Sequence, residues 1–132
     1  MQIERPPNGY RVLVVDDEGH AREVVGLALE VAGFEVLFAV DGREGLERTL
    51  QELPDLVLTD IHMPRMDGND LAREVVNRMG RTAPPVVGFT ADRDAVDAMR
   101  ERDVFHAVLR KPVSPSALIS LVRSIVTPEG AP

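Results

Sequence analysis

Five polar residues stand where apolar segments of the chain end, and their types suit the binding of cations and oxyanions. Asp16 and Asp17 follow the run RVLVV, Asp60 ends DLVLTD, Thr90 ends VVGFT, and Lys111 lies near the end of FHAVLRKP. Three carboxylates favour a hard cation, and Mg²⁺ fits well because one or two carboxylates usually hold it while water and phosphate oxygens complete its shell. The same ligands could hold Ca²⁺ or Mn²⁺, although no loop supplies the spaced ligands of a calcium-binding hand.

Alternating apolar and amphipathic segments predict the elements that position these residues. Apolar runs predict five strands, over residues 11–15, 35–40, 55–60, 86–90 and 105–112. The segments that follow them predict five helices, over about residues 20–32, 42–52, 69–79, 93–102 and 114–126. A strand–helix unit repeated five times is typical of a doubly wound α/β domain, in which helices cover both faces of a parallel sheet.

Local signals mark several helix ends. In the first helix apolar side chains recur at helical spacing, at Val24, Leu27, Ala28 and Val31. Gly33 is expected to end this helix. Asp41 and Ser114 are expected to cap the second and last helices, with Pro115 at the first helical position of the last one.

The predicted sheet should gather the five polar residues, because parallel strands present their carboxyl ends at one edge, where ligands of such folds bind. A cation, an ammonium group and a hydroxyl around one carboxylate describe a site for phosphoryl transfer, with Asp60 as the nucleophile that becomes an acyl phosphate. Taken singly, each residue has an ordinary structural explanation: a turn or helix cap for the acids, a strand-end turn for Thr90 and a solvated side chain for Lys111. Their coincidence at one edge favours the site.

Composition restricts the remaining function classes. The 132-residue chain has a formal net charge of −7, which argues against direct binding of nucleic acid because phosphate contacts require clustered basic residues. It has no cysteine, which excludes disulfides and thiolate sites. No apolar run approaches the ~18 residues of a membrane span, so we expect no membrane association and a cytoplasmic location. One domain is expected over residues 11–126, between a lead-in (1–10) and a C-terminal tail (127–132).

Four segments together resemble the receiver domain of response regulators in two-component signalling. They are VLVVDDE (12–18), LVLTDIHMPRMDG (56–68), FTA (89–91) and RKP (110–112). The resemblance implies a flavodoxin-like (βα)5 fold with a five-stranded parallel sheet in the order 2-1-3-4-5. It also implies that Asp60 accepts a phosphoryl group from the phosphohistidine of a sensor histidine kinase or histidine phosphotransfer protein.

The resemblance further implies a Mg²⁺ site and its ligands. Asp17 matches a direct ligand, and Asp16 matches an acid that binds the ion partly through water. Asp60 and the backbone carbonyl of His62 match the other protein ligands. The site would serve the domain's own phosphotransfer and autodephosphorylation rather than make the chain an enzyme in the usual sense.

The switch that reports phosphorylation is also implied by the resemblance. Thr90 matches the hydroxyl that moves to the phosphoryl group, Lys111 matches the residue that pairs with that group, and the Lys111–Pro112 bond is expected to be cis. Val108 departs from the family, which usually has Tyr or Phe there, and Phe105 is expected on the opposite face of the strand. The surface over residues 92–126 matches the family's usual face for a homodimer or a target protein.

Other functions remain open from the sequence. The chain could be the receiver piece of a larger response regulator or of a hybrid histidine kinase. It could also be a constitutive interaction module that has lost the chemistry. An aspartyl-phosphate hydrolase fits less well, because such enzymes have a second acid two residues after the nucleophile, where this chain has His62.

Overall fold

Five parallel strands form the centre of the computed structural model, which describes residues 9–92 and 104–127. They are β1 (Arg11–Val15), β2 (Glu35–Ala39), β3 (Leu56–Asp60), β4 (Val86–Thr90) and β5 (Ala107–Arg110). Their order in the sheet is β2-β1-β3-β4-β5, and all four pairings are parallel. The predicted flavodoxin-like order 2-1-3-4-5 is therefore confirmed.

Helices connect the strands in the predicted positions. They are α1 (Gly19–Val31), α2 (Gly42–Glu52), α3 (Gly68–Met79) and α4 (Pro115–Val126), with a short 3-10 turn at Gly80–Thr82. The predicted helix over 93–102 lies outside the described residues, as do residues 1–8 and 128–132. Except for the fifth strand, the described elements begin and end within one residue of their predicted bounds.

The predicted helix ends are confirmed by backbone geometry and capping hydrogen bonds. The Asp41 carboxylate accepts from the Glu44 amide at 2.8 Å, and the Ser114 hydroxyl accepts from the Ala117 amide at 3.2 Å. These side chains satisfy amide groups that the first turn of a helix leaves without partners. Gly33 follows α1 with a φ of +100°, a conformation that costs glycine little.

The core consists of two apolar layers, one on each face of the sheet. Leu13, Val15 and Val57 point to the layer with Leu71 and Val75 of α3. Alternate residues of the same strands point to the other layer, which contains Val12, Val14, Leu56, Leu58, Leu118 and Val122. Because β1 and β3 are buried on both faces, they read as continuous apolar runs in the sequence. Packing on both sides fixes the ends of these two strands.

The helical spacing of apolar residues predicts α1 correctly, but the stripe formed by Val24, Leu27 and Val31 does not face the core. The buried residues of α1 are Gly26 and Leu29, whereas Val24, Leu27 and Val31 are 51%, 62% and 81% exposed. Gly26 allows this orientation, because a Cβ atom there would lie 2.5 Å from the ring of Phe38. The helix therefore packs through its glycine face and leaves a second apolar face in solvent.

The fifth strand is shorter than predicted. It covers Ala107–Arg110 rather than residues 105–112. Strand-type hydrogen bonds flank it, from the His106 amide to the Val86 carbonyl and from the Lys111 amide to the Thr90 carbonyl, each at 2.8 Å. Pro112 has no amide hydrogen to continue the ladder, so the pairing ends at Lys111.

Candidate functional site

Three carboxylates meet at the carboxyl edge of the sheet, as the sequence predicts. Asp16 and Asp17 follow β1, and Asp60 is the last residue of β3, which pairs directly with β1. One oxygen from each of the three lies within 4.8 Å of the others. Asp16 is 6% exposed, Asp60 is half-buried and Asp17 is exposed, so the cluster opens to solvent on one side.

Lys111 supplies a positive charge beside this cluster. Its Nζ lies 3.7 Å from Asp60 Oδ1 and 3.9 Å from Asp16 Oδ2. Both distances exceed the usual length of a hydrogen bond, so the lysine offsets charge without binding either oxygen tightly. The single charge of Lys111 does not balance three carboxylates, and the remaining negative charge together with the all-oxygen donor set fits Mg²⁺.

The ionised form of Asp16 is disfavoured in this arrangement. Burial raises the pKa of this carboxyl group, and the charges of Asp60 and Asp17 raise the pKa further. A hydrogen bond from the Glu18 amide at 3.0 Å and the charge of Lys111 act in the opposite direction. A divalent cation in the cluster would favour the ionised form of Asp16, because it supplies the missing positive charge.

Because the pKa of Asp16 is raised, the stability of the metal-free protein should depend on pH. The folded protein holds the Asp16 proton more tightly than the unfolded chain does, so this group lowers the free energy of unfolding as pH rises through its raised pKa. Between the pKa of Asp16 in the unfolded chain and its raised pKa in the folded protein, Asp16→Asn should therefore gain stability relative to the wild type, and it should keep this advantage at higher pH. Urea unfolding in the presence of a chelator, repeated at several pH values, measures the free energy of unfolding of both proteins.

The control for this prediction is Glu23→Gln, which removes an exposed carboxylate of α1 outside the cluster. Its stability difference from the wild type should be the same with and without Mg²⁺, because the variant keeps all three carboxylates of the cluster. Excess Mg²⁺ should reverse the Asp16→Asn advantage, since the metal binds the folded wild type. A pH-independent Asp16→Asn difference would contradict the assigned cause.

Two residues that the sequence analysis did not single out hold Asp16 in place. Glu18 caps α1, with its carboxylate accepting from the His20 amide at 3.2 Å and the Ala21 amide at 2.6 Å. These bonds lower the pKa of Glu18. Arg22 donates from Nη1 to the Asp16 carbonyl at 2.8 Å. An acid just before a helix is a readable capping signal, but the contact of Arg22 depends on the tertiary structure.

Thr90 lies at the same edge, at the end of β4 beside the carboxyl end of β3. Its side chain is buried, and its hydroxyl accepts from the Asp92 amide at 3.1 Å. The hydroxyl thus takes part in its own turn, which is the ordinary explanation considered for it from the sequence. The position of Thr90 agrees with the predicted site, while a role in switching remains a prediction.

The loop after Asp60 returns close to the backbone of that residue. The Gly68 amide donates to the Ile61 carbonyl at 2.9 Å, and a Cβ atom on Gly68 would lie 2.5 Å from the Asp60 carbonyl oxygen. Met63 is buried, whereas the side chain of His62 is exposed. The loop therefore packs tightly at both ends and presents His62 to solvent, and the metal-ligand role of the His62 carbonyl remains a prediction.

Replacing Gly68 by alanine is expected to destabilise the fold by about 1–3 kcal/mol, the usual cost of overpacking. The added methyl group would meet backbone atoms of Asp60 and Ile61, which cannot turn away as a side chain can. Urea unfolding measures the change. The matched control is Gly19→Ala at the start of α1, where the nearest atom is Arg22 Nη2 at 3.6 Å. Equal stability of the two variants would contradict the packing argument.

The neighbourhood of the fifth strand differs from expectation in one respect. The Lys111–Pro112 bond is cis, as the resemblance implies. Val108 is buried, but Phe105 packs in the same core layer rather than on the opposite face. The alternation of side chains does not extend back to Phe105, because β5 begins only at Ala107. An aromatic ring thus lies in the same core layer as Val108.

The parallel α/β sheet and the acidic cluster with a lysine at its carboxyl edge are typical of α/β domains whose ligand sites lie at the strand ends. The family model of the response regulator receiver domain matches residues 12–123. The chain belongs to this family and is a receiver domain of two-component signalling. The hydrolase alternative is not favoured, because the similar structures include a response regulator receiver domain protein of Clostridium thermocellum and the chemotaxis protein CheY4 of Vibrio cholerae.

Individual relatives agree with this assignment. The chain is 36% identical over 115 residues to an uncharacterised 14.6 kDa protein of Leptolyngbya boryana, covering 85% of this chain and 86% of that protein. It is 32% identical over 117 residues to a probable transcriptional regulator, ycf27 of Guillardia theta, covering 88% and 45% of the two chains. The crystallised chemotaxis protein CheY4 of Vibrio cholerae superposes with a TM-score of 0.78 at 27% identity, covering 88% and 98%.

The chain spans about half of the length of the ycf27 relatives that it matches, so their whole-protein activities do not transfer directly. Among residues 9–92 and 104–127, no helix is both long enough and apolar enough to cross a membrane.

Proposed function

We propose that Asp60 accepts a phosphoryl group from the phosphohistidine of a sensor histidine kinase or histidine phosphotransfer protein. The observation that carries the proposal is the position of Asp60, within 4.8 Å of two other carboxylates and 3.7 Å from the Lys111 ammonium group. Asp16, Asp17, Asp60 and the His62 carbonyl would hold Mg²⁺. When bound, the ion supplies positive charge to the oxygens of the transferring phosphoryl group.

The transfer exchanges one phosphorus bond for another. A carboxylate oxygen of Asp60 forms a bond to phosphorus while the bond between phosphorus and the donor imidazole nitrogen breaks, and that electron pair stays on the imidazole. Lys111 lies where it can pair with an oxygen of the new acyl phosphate. Hydrolysis by water would later regenerate the carboxylate. The chain's residues mainly position and neutralise charge, which is typical of phosphoryl transfer.

We further propose that Thr90 connects this event to the partner surface over residues 92–126. Its hydroxyl accepts from the amide of Asp92, the first residue of that surface. If the hydroxyl moves to the phosphoryl group, this hydrogen bond must break, and the chain after Thr90 loses one of its anchors. A target protein or a homodimer would respond to that change. We propose a cytoplasmic setting and, given the net charge of −7, no direct contact with nucleic acid.

Phosphorylation by a small donor tests the proposal without knowledge of the kinase. Acetyl phosphate with Mg²⁺ should add one phosphoryl group per chain, measured by intact mass, and a chelator should prevent it. Beryllofluoride mimics the acyl phosphate, so in the presence of Mg²⁺ it should shift backbone amide signals in the NMR spectrum of the chain. A chain that gains no phosphoryl group and shows no response to beryllofluoride would overturn the proposal in favour of a constitutive interaction module.

A further inference from the structure

Asn69, the second residue of α3, is a buried polar side chain whose amide oxygen lacks a partner. The residue is 5% exposed. Its Oδ1 atom is buried and accepts no hydrogen bond from the part of the chain that the structure describes. A buried acceptor that has lost its hydrogen bonds to water is unfavourable, and such groups are rare in folded proteins. The burial of this amide therefore needs an explanation.

Helix geometry places Asn69 on the side of α3 that faces away from α2. A Cβ atom on Gly45 of α2 would lie 3.0 Å from Val15 of β1 and 3.2 Å from Leu71 of α3, so Leu71 marks the side of α3 toward α2 and β1. Successive helix positions differ by about 100°, which puts Asn69 about 200° away from Leu71. In the sheet, β1 and β4 lie on opposite sides of β3. Asn69 is therefore on the β4 side of its helix.

The amino end of α3 lies directly over the end of β3. A Cβ atom on Gly68 would lie 2.5 Å from the carbonyl oxygen of Asp60. Thr90 ends the neighbouring strand β4, one position beyond the register partner of Asp60. Val76 lies two turns farther along the same side of α3 as Asn69 and is 50% exposed, so only the amino end of this side is covered. Asn69 is thus buried beside the end of β4.

We propose that Asn69 is a positioning residue that holds the chain after Thr90 once Asp60 is phosphorylated. This role rests on the proposed function, in which the hydroxyl of Thr90 moves to the phosphoryl group. In the structure that hydroxyl accepts from the Asp92 amide at 3.1 Å. When the hydroxyl turns to the phosphoryl group, this bond breaks and the amide requires another acceptor. The buried Oδ1 atom of Asn69 then accepts from the Asp92 amide.

This exchange of partners favours the phosphorylated arrangement. Before it, the amide of Asp92 is bonded to Thr90 and the oxygen of Asn69 is unpartnered. After it, Thr90 donates to a phosphoryl oxygen and the amide of Asp92 donates to Asn69, so a buried acceptor gains its hydrogen bond. Asn69 therefore stabilises the phosphorylated conformation and takes no part in the chemistry at Asp60.

Binding of beryllofluoride in the presence of Mg²⁺ tests this role. Asn69→Leu and Asn69→Ala both remove the acceptor, one with a larger and one with a smaller side chain, so a packing defect in one variant does not decide the result. Each should bind beryllofluoride about threefold to tenfold more weakly than the wild type, the range for losing one neutral hydrogen bond. The matched control is Asn77→Leu, at an exposed asparagine of the same helix, which should keep the wild-type affinity.

Hydrogen exchange of the Asp92 amide separates this role from a merely structural one. Without beryllofluoride, the amide should exchange equally slowly in the wild type and in Asn69→Ala, because Thr90 holds it in both. With beryllofluoride, the amide should stay protected in the wild type and lose that protection in the variant. A structural role of Asn69 would change the exchange in both conditions and would overturn the proposal.

The remaining outcomes distinguish this role from the proposed function. Acetyl phosphate should still add one phosphoryl group to both variants, because Asp60 and Lys111 are unchanged; loss of this labelling would overturn the positioning role. Unchanged affinity and exchange in the variants, beside a wild type that responds, would overturn the role of Asn69 alone and leave a buried water as its partner. A wild type that does not respond to beryllofluoride would overturn the proposed function and this role together.

Discussion

Asp60→Asn is expected to abolish labelling of the chain by acetyl phosphate or by a histidine kinase. The amide of asparagine has nearly the shape of the carboxylate, but it lacks the anionic oxygen that forms the bond to phosphorus. The variant should fold at least as well as the wild type, because it removes a negative charge that raises the pKa of Asp16. Intact mass after incubation with the donor and Mg²⁺ measures the labelling, and urea unfolding measures the stability.

Asp41→Asn provides the matched control for that experiment. Asp41 lies just beyond β2, which β1 separates from β3 in the sheet, and its carboxylate caps α2 at 2.8 Å from the Glu44 amide. Asparagine caps a helix as well as aspartate does, so this variant should fold and accept phosphate normally. If Asp60→Asn were labelled to the same extent as the wild type, the acceptor would be another residue and the assignment would be wrong.

Lys111→Gln is expected to change two properties in opposite directions. Removing the ammonium group leaves three carboxylates without their nearby cation, so Mg²⁺ should bind more tightly. Phosphorylation by acetyl phosphate should nevertheless slow by about 10²–10³, the usual effect of removing one group that stabilises charge in a transition state. Calorimetric titration with Mg²⁺ and the initial rate of labelling at saturating Mg²⁺ separate the two effects.

Arg110→Gln is the matched control, since it removes one positive charge from the adjacent, exposed position. It should change neither property appreciably, because exposed charges are screened by solvent and salt. Lys111→Arg should recover part of the Mg²⁺ effect but little of the rate, since a planar guanidinium does not replace a compact ammonium group. Faster labelling of Lys111→Gln would contradict the role given to the lysine.

Much of the fold and most of the site could be predicted from the sequence, because the responsible signals are local. Apolar runs fix the central strands, and the rule that ligands bind at the carboxyl ends of parallel strands brings together Asp16, Asp17, Asp60, Thr90 and Lys111. Capping residues such as Asp41 and Ser114 act within one helical turn, so they too can be read directly.

Tertiary packing decides the features that the sequence leaves open or that depart from its predictions. Helical spacing identifies α1 but cannot tell which of its two apolar faces is buried, and the close approach of Gly26 to Phe38 makes that choice. The predicted fifth strand is longer than the observed one, because the apolar run that begins at Phe105 does not mark where pairing with β4 starts, and the strand begins at Ala107. The contact of Arg22 with the Asp16 carbonyl joins two elements and leaves no local trace.

That contact has a thermodynamic consequence. Through Arg22 and the cap formed by Glu18, the amino end of α1 is joined to the strand end that carries Asp16. Two binding equilibria on one molecule are linked reciprocally: if a protein that binds α1 alters the affinity for Mg²⁺, Mg²⁺ must alter the affinity for that protein by the same factor. One coupling free energy, obtained from either titration, would then describe how strongly the two ends of this helix communicate.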